Sequence, residues 1–401
     1  MEHGYRFRIY PNKKQQLMIQ HTFDCCRWVW NETLSIRNKE YSETGKVSNM
    51  NEYVKMIPVW KSSKAPWLKD ADSIALQQTL RDLNGAYLRF FNNPKKVGFP
   101  KFKLKRSSKK SYRTTNSTGS VAVINSKKIK LPKLGVVSAR VSRHVVGRIS
   151  NATISQTPSG KYYVSFCCIS DNKPQIPDGT IEVMGIDVGV HNLIARSDGV
   201  IVKNPKSHRK AKNKIARASR KLSKKKEGSK NWYKQKQKLA TIYERATNQR
   251  KDAIHKATTQ AVRESQAIAV EDLHVSSLIL KKTSGRKNLP EQARKDVNSA
   301  IYDASFATVI KTLEYKCNWY GRKFIKVNPS KTTETCSKCG SVREMKITRR
   351  TYRCKECGNV LDRDVNAARN IANRGTALLS TVGHTESDEH IVKACGAESL
   401  H

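Results

Sequence analysis

The chain opens on an alternation. Tyr5, Phe7 and Ile9 are apolar and Arg6 and Arg8 lie between them, so a period of two predicts a half-buried strand. Pro11 ends that strand, and Asn12 is placed to cap the helix that follows. Leu17, Ile19, Phe23, Cys26, Trp30 and Leu34 then recur at helical spacings. Cys25 and Cys26 are adjacent and cannot form a CxxC pair, which makes them small buried hydrophobes. A second apolar face, built from Ile74, Leu76, Leu80, Leu83, Tyr87, Leu88 and Phe91, predicts a helix from about Asp72 to Phe91. Residues 11–95 therefore read as a helical lobe inserted after the first strand.

The texture changes at Phe99. The stretch FPKFKLKRSSKKSYR carries seven basic residues with Phe99, Phe102 and Tyr112 among them. Cations for phosphates and rings for bases or sugars suit a nucleic-acid groove, against the blander reading of a solvated basic loop. Short strand-like runs follow in VAVI, KIKLP, ATISQ and YYVSFCCI, and the PSG at 158–160 is a hairpin turn between the last two. The first strand is expected to join these runs in one β-barrel-like domain. DNKPQIPDGT at 171–180 is polar and rich in Pro and Gly, so it reads as a linker.

Charge sharpens this picture. Lys and Arg number 77 against 33 acids over 401 residues, a net charge of +44. Such an excess points to a large polyanion, with nucleic acid as the default partner; a basic ribosome-associated protein without chemistry is the plainer alternative. No long apolar run or amphipathic anchor argues for a membrane, and the N-terminus has no signal-peptide core, so a cytoplasmic location is expected. Ten cysteines in a reducing compartment are thiols or metal ligands.

The second half holds the candidate chemistry. In IEVMGIDVGVHNLIARSDGVIV an apolar strand ends in Asp187, next to Gly189, and a second strand and an Asp-Gly turn follow. A carboxylate at a strand end beside glycines suits a divalent metal and a phosphate, while a plain three-stranded meander is the competing reading. Lys206–Lys256 holds 19 basic residues and three acids, divided by Gly228, and predicts a helical hairpin with one strongly positive face. The buried run Ala267–Val270 ends in Glu271 and Asp272, a costly place for a carboxylate unless it is paired or metal-bound. Ala300–Trp319 reads as one apolar-faced helix and KFIKVNP as a strand.

Cys336-x-x-Cys339 and Cys354-x-x-Cys357, each followed by Gly, have zinc-ribbon spacing. Four thiolates make a closed tetrahedral site for one structural Zn²⁺. Cys167, Cys168, Cys317 and Cys395 lack partners at such spacing. Just beyond the ribbon stand Asp362 and Asp364, and VNAARNIA puts Asp364 in the first turn of a helix. Asp187, Glu271 and Asp364 thus each lie at a strand end or helix start. Three carboxylates converging on two Mg²⁺ ions roughly 3.5–4 Å apart are equipment for in-line phosphodiester hydrolysis.

In this order, YRFRIYPNKKQQ…CCRWVWN, ALQQTLRDLNGAYLRFF, FPKFK, LPKLG, GIDVGVHN, AVEDL, the CxxC pairs and DRDVNAARNI resemble the TnpB family, transposon-encoded RNA-guided DNA endonucleases related to the type V CRISPR effectors. The resemblance spans nearly the whole chain. It implies an α/β multidomain protein: a split RuvC-like nuclease of RNase H fold with an inserted zinc ribbon, and a wedge-type β-barrel carrying a helical recognition lobe. The wedge would occupy 1–10 and 96–175, the lobe 11–95, the nuclease 180–330 and 359–377 with the basic hairpin 206–256, the ribbon 331–358, and a loosely ordered tail 378–401. The resemblance assigns Asp187, Glu271 and Asp364 to Mg²⁺, favouring Asp364 over Asp362. It further implies a guide RNA from the transposon end, a double-stranded DNA target beside a short adjacent motif, and a role in transposon retention. A nuclease-silent RNA-guided repressor and an RNA-independent transposase or resolvase are the alternatives; the intact triad speaks against the first, and an RNA requirement would exclude the second.

Overall fold

The structure is a computed structural model, and it describes residues 2–105, 110–116, 119–170, 179–274, 278–279, 290–345 and 349–382. The chain divides into two compact units, residues 1–172 and 173–401.

In the first unit, strand β1 (Glu2–Tyr10) leads into helix α1 (Lys13–Thr44). Asn12 caps α1 by accepting from the Gln15 N–H, and Gln15 reciprocates by accepting from the Asn12 N–H, which satisfies two amides at the helix start. Helix α2 (Met50–Ser62), a short 3₁₀ turn (Pro66–Lys69) and helix α3 (Ser73–Asn92) complete the helical part. Neither α2 nor the 3₁₀ turn stands out in the sequence pattern. Strands β2 (Ser111–Thr115), β3 (Ala122–Asn125), β4 (Lys128–Leu131), β5 (Gly135–Arg140), β6 (Arg148–Gln156) and β7 (Tyr162–Ile169) follow. With β1 they form a seven-stranded sheet in the order β2-β6-β7-β1-β5-β4-β3. The first strand therefore lies mid-sheet, antiparallel to both β7 and β5. Gly160, at φ 83°, makes the β6–β7 turn.

One apolar core joins this sheet to its helices: Phe7, Ile9, Ile154 and Phe166 meet Ile19, Phe23, Cys25, Cys26, Leu76 and Leu80. Trp30, Leu34, Leu83 and Tyr87 form a second buried cluster beside it, and three expected core positions are on the surface. Leu17, Leu88 and Phe91 are exposed, because each apolar stripe is longer than the surface it packs on. Tyr112 also departs from the sequence reading. It is buried edge-on against Phe23 at 5.7 Å, so it is a core ring rather than a nucleic-acid contact, whereas Phe99 and Phe102 are about half exposed. The predicted linker falls almost wholly outside the described residues.

The second unit begins with the meander β8 (Ile181–Asp187), β9 (Asn192–Arg196) and β10 (Ile201–Lys203). Helices α4 (Ser207–Ser223) and α5 (Lys230–Glu264) form the basic hairpin around Gly228. Helix α5 runs beyond Lys256 to the start of β11 (Ser265–Glu271), because its last turns bury Ala257, Ala261 and Val262. Instead of the single helix expected over Ala300–Trp319 there are two, α6 (Glu291–Ala304) and α7 (Phe306–Tyr320), broken at Ser305 with φ 55°. Strands β12 (Lys323–Val327), β13 (Thr351–Arg353) and β14 (Val360–Asp362) precede helix α8 (Arg363–Val382). Helix α8 passes through Leu378, where the sequence reading began a loose tail; residues 383–401 lie outside the described residues.

The main sheet has the order β10-β9-β8-β11-β12, with β8, β11 and β12 parallel and β9 and β10 antiparallel. Both faces are covered. Met184, Ile186, Ile268 and Val270 pack under Ile254, Ala261, Val309 and Leu313, while Val183, Ala267 and Ala269 face Ile371 of α8. Double coverage is why β8 and β11 read as continuous apolar runs. The approach of α8 is very close: a Cβ on Gly185 would fall 1.9 Å from the Ala368 carbonyl oxygen, and one on Gly375 2.6 Å from the Ala269 Cβ. The glycine nearest Asp187 within β8 thus makes room for a helix, not for a phosphate.

Candidate active site

Asp187 ends β8 and Glu271 ends β11, and the parallel register pairs Ile186 with Val270, so both acids leave the same edge of the sheet side by side. Asp364 enters from above, in the first turn of α8. The effect on Asp187 is large. Burial pushes its carboxyl up to about 8, and the nearby charges of Glu271 and Asp364 add to the push. Glu271 is also raised by burial, against a hydrogen bond donated by the Thr332 hydroxyl. Asp364 is 5% exposed and accepts from Asn192 Nδ2 at 2.9 Å, Arg363 Nη2 at 3.2 Å and Arg350 Nη1 at 3.5 Å.

Asp362 does something different. Its carboxylate accepts from the N–H groups of Asp364 at 2.9 Å and Val365 at 3.3 Å, which makes it the N-cap of α8. The two aspartates of DRD therefore divide the work: one starts the helix and the other faces Asp187.

Hard carboxylate oxygens at a buried sheet end, where burial and the charges of Glu271 and Asp364 hold the Asp187 carboxyl up, suit a divalent cation such as Mg²⁺. Among the described residues, only the four cysteines bring three or more ligand atoms within 4.8 Å of one another.

The ribbon cysteines converge tightly. Cys336 and Cys357 sulfurs are 3.7 Å apart, and those of Cys339 and Cys354 3.6 Å. A tetrahedral ion with Zn–S of about 2.3 Å sets its sulfurs about 3.8 Å apart, so the four fit Zn²⁺ and leave no open position. Cys354 is prepared as a thiolate: the Ser341 hydroxyl at 3.1 Å and the Cys357 N–H pull its thiol down to about 6. Gly340 and Gly358, at φ 78° and 67°, make the turns. Cys317 and Cys168 are buried apart from this site, and Cys395 lies outside the described residues.

The ribbon is pinned to α8 by two buried asparagines. Asn366 donates to the Thr335 carbonyl at 2.7 Å and accepts from the Ser337 N–H at 3.0 Å. Asn370 donates to the carbonyls of Thr332 at 2.8 Å and Thr335 at 2.7 Å. Sequence reasoning took NAARN only as a helix start and did not find Asn192, Thr332, Asn366 or Asn370. The four-residue spacing of the two asparagines, which stacks them on one helix face, was the available signal.

The basic hairpin is fixed at its base. Asp303 at the end of α6 accepts from the N–H groups of His208 and Arg209, each at 3.2 Å, and so caps α4 from outside. Its remaining cations project from exposed positions on α4 and α5. No helix among the described residues is long and apolar enough to cross a membrane.

Comparison with known proteins adds three family matches. A family described as "Probable transposase" (OrfB_IS605) matches residues 165–281, and a "Cas12f1-like, TNB domain" matches residues 306–371. A "Helix-turn-helix domain" of the OrfB group matches residues 1–46, which here form a strand and one unbroken helix. "Putative RNA-guided DNA endonuclease InsQ" of Escherichia coli (strain K12) is 34% identical over 383 residues, covering 94% of this chain and 93% of the relative. A "Putative RNA-guided DNA endonuclease" of Streptomyces pristinaespiralis is 33% identical over 385 residues, covering 94% and 90%. The protein of a Cas12f1–sgRNA–target DNA complex shares the fold, with a TM-score of 0.52 at 14% identity, covering 94% of this chain and 99% of that one.

Proposed function

The chain belongs to the OrfB (TnpB) family, and on that premise we propose that it is an RNA-guided DNA endonuclease that hydrolyses target DNA with Mg²⁺ at Asp187, Glu271 and Asp364. The observation that carries the reading is the set of three carboxylates from separate segments gathered at one sheet end, two of them pressing on the buried Asp187. In this proposal the second unit is a RuvC-like nuclease of RNase H fold, split by the basic hairpin and the ribbon. The strand order with β8 central and parallel to β11 and β12 supports it. The first unit is the wedge-type barrel with its helical recognition lobe, at the boundaries given by the sequence.

Two Mg²⁺ ions, when bound, supply an activated water and neutralise charge on the phosphate. The chain's own residues set the stage. Asp187, Glu271 and Asp364 would hold the ions; Glu271 is oriented by the Thr332 hydroxyl, and Asp364 is steadied by Asn192. Water attacks phosphorus in line, the bond to the 3′ oxygen breaks, and that oxygen leaves with a proton. Arg350 and Arg363, already beside Asp364, add positive charge at the same edge. One Zn²⁺ in the four-cysteine site is structural, because a closed thiolate set leaves no room for substrate. The guide RNA, derived from the transposon end, pairs with the target DNA while the protein reads a short adjacent motif, in support of transposon retention. The exposed cations of α4 and α5 hold the nucleic-acid backbone.

The test is cleavage of a guide-matched plasmid against a mismatched one, in Mg²⁺, with protein co-expressed with its transposon-end RNA. Guide-dependent cutting that Asp187→Ala abolishes is the expected result. Binding without cutting would replace this reading with a nuclease-silent binder, and cutting that ignores the guide with a resolvase-like enzyme.

A further inference from the structure

Between β12 and the first zinc knuckle runs a short strap, Thr332 to Ser337, that touches everything the active site depends on. At one end the Thr332 hydroxyl, only 2% exposed, donates to the Glu271 carboxylate. At the other end is the ligand Cys336, whose N–H donates to the Ser341 carbonyl and whose carbonyl accepts from the Gly340 N–H. Along its length, the carbonyls of Thr332 and Thr335 and the N–H of Ser337 are bonded by Asn366 and Asn370 of α8. That helix carries Asp364 in its first turn. Asn366 is fully buried and Asn370 is 6% exposed, so water does not compete for these bonds.

We infer that the strap couples the zinc knuckle to the spacing of Glu271 and Asp364, with Thr332, Asn366 and Asn370 as positioning residues for the metal-binding carboxylates. The inference rests on the proposed nuclease reading. Helix α8 packs on the sheet through small residues at contact distance, and polar bonds run along it: Asn192 to Asp364 at 2.9 Å, Arg369 to the Ser197 carbonyl at 3.2 Å and Arg374 to the Asn328 carbonyl at 2.6 Å. The asparagine bonds add to these a link that reaches the zinc knuckle, since their partner backbone runs directly into Cys336. Zinc at the four cysteines then acts on the chemistry through two amide side chains and one hydroxyl. Partners one step removed from a ligand commonly change metal affinity by about 10- to 100-fold.

The experiment compares wild type, Asn366→Ala, Thr332→Val and Thr332→Ser as full-length, zinc-loaded chains. Three quantities are read: zinc content, guide-RNA affinity, and the Mg²⁺ concentration giving half-maximal cleavage. A fourth is the rise in melting temperature that Mg²⁺ gives the guide-free chain. Asn366→Ala and Thr332→Val are expected to keep zinc and RNA affinity, to need about 10- to 100-fold more Mg²⁺, to recover their rate at saturating Mg²⁺, and to lose most of the Mg²⁺-induced rise. Thr332→Ser keeps the hydroxyl and restores wild-type Mg²⁺ dependence. Variants with wild-type half-saturation and a wild-type rise would overturn the coupling. So would loss of RNA affinity in step with cleavage, since the strap would then merely hold the fold. If wild type itself makes no guide-dependent cut while its Mg²⁺-induced rise is lost in the variants, the nuclease reading fails and the coupling stands.

Discussion

The two candidate metal sites of the second unit are built on opposite plans. The cysteine site draws its ligands from two knuckles, each closing on itself within a few residues, and its sulfurs already stand at zinc spacing. The carboxylate site draws its ligands from two strand ends and a helix start, and one of its contacts, Asn192 to Asp364, spans 172 positions of sequence. The first is a local structure whose four sulfurs are spaced for a metal. The second is a product of the whole fold, and without metal it is under electrostatic stress. A metal in the cysteine site would add to folding, whereas the buried carboxyl of Asp187, raised by burial and its acidic neighbours, opposes it.

Breaking the carboxylate site should have the largest effect on activity. Asp187→Ala is expected to reduce plasmid cleavage below detection while guide-RNA affinity, measured by filter binding, stays at the wild-type level. Equal loss of both would show that the residue holds the fold. Breaking the cysteine site should have the largest effect on local structure. Cys336→Ser removes one of four thiolates, and a structural zinc knuckle owes about 10–16 kcal/mol of apparent binding free energy to its metal. Near-complete loss of zinc by metal analysis, with new protease cuts within 331–358, is expected; a variant that keeps full zinc would disprove the four-cysteine assignment.

The remaining effects are graded. Gly185→Ala forces a methyl group onto the Ala368 carbonyl and should cost about 1–3 kcal/mol in denaturant melts, while moving Asp364 enough to impair cleavage. Asp187→Asn should stabilise the Mg²⁺-free chain even as it abolishes activity. The folded carboxyl sits at about 8 against an ordinary 3.8. The folded state thus holds a proton that the unfolded state has released, and wild type loses stability as pH rises between those values. The variant has no such loss, so melts in Mg²⁺-free buffer should separate at pH 8 and converge near pH 4. Asp362→Ala is the mildest: loss of the α8 cap should cost about 1 kcal/mol and weaken cleavage without abolishing it. Complete inactivation would instead make Asp362 a metal ligand.

Legibility followed the same divide. The CxxC pairs, the helix cap at Asn12, the alternation of the first strand and the hairpin turn at Gly228 could all be read directly, since each depends on neighbours within a few positions. Apolar stripes told which helices exist but not where burial ends, and Leu17, Leu88 and Phe91 stayed outside the core. The break at Ser305 was hidden because apolar periodicity continues through it. Tyr112 read as a nucleic-acid ring because its basic neighbours are near in sequence, yet Phe23 is what it meets in space.

The sequence by itself determined the local devices, the excess of cation and the spacing of the four cysteines, because side-chain chemistry and short-range spacing are written in the order of residues. The choice of Asp362 for the helix cap, the close seat that Gly185 gives α8, and the placing of Thr332, Asn366 and Asn370 were decided only by the tertiary structure. Each depends on a helix laid against a sheet at contact distance, and that distance is set by the packing of both faces at once.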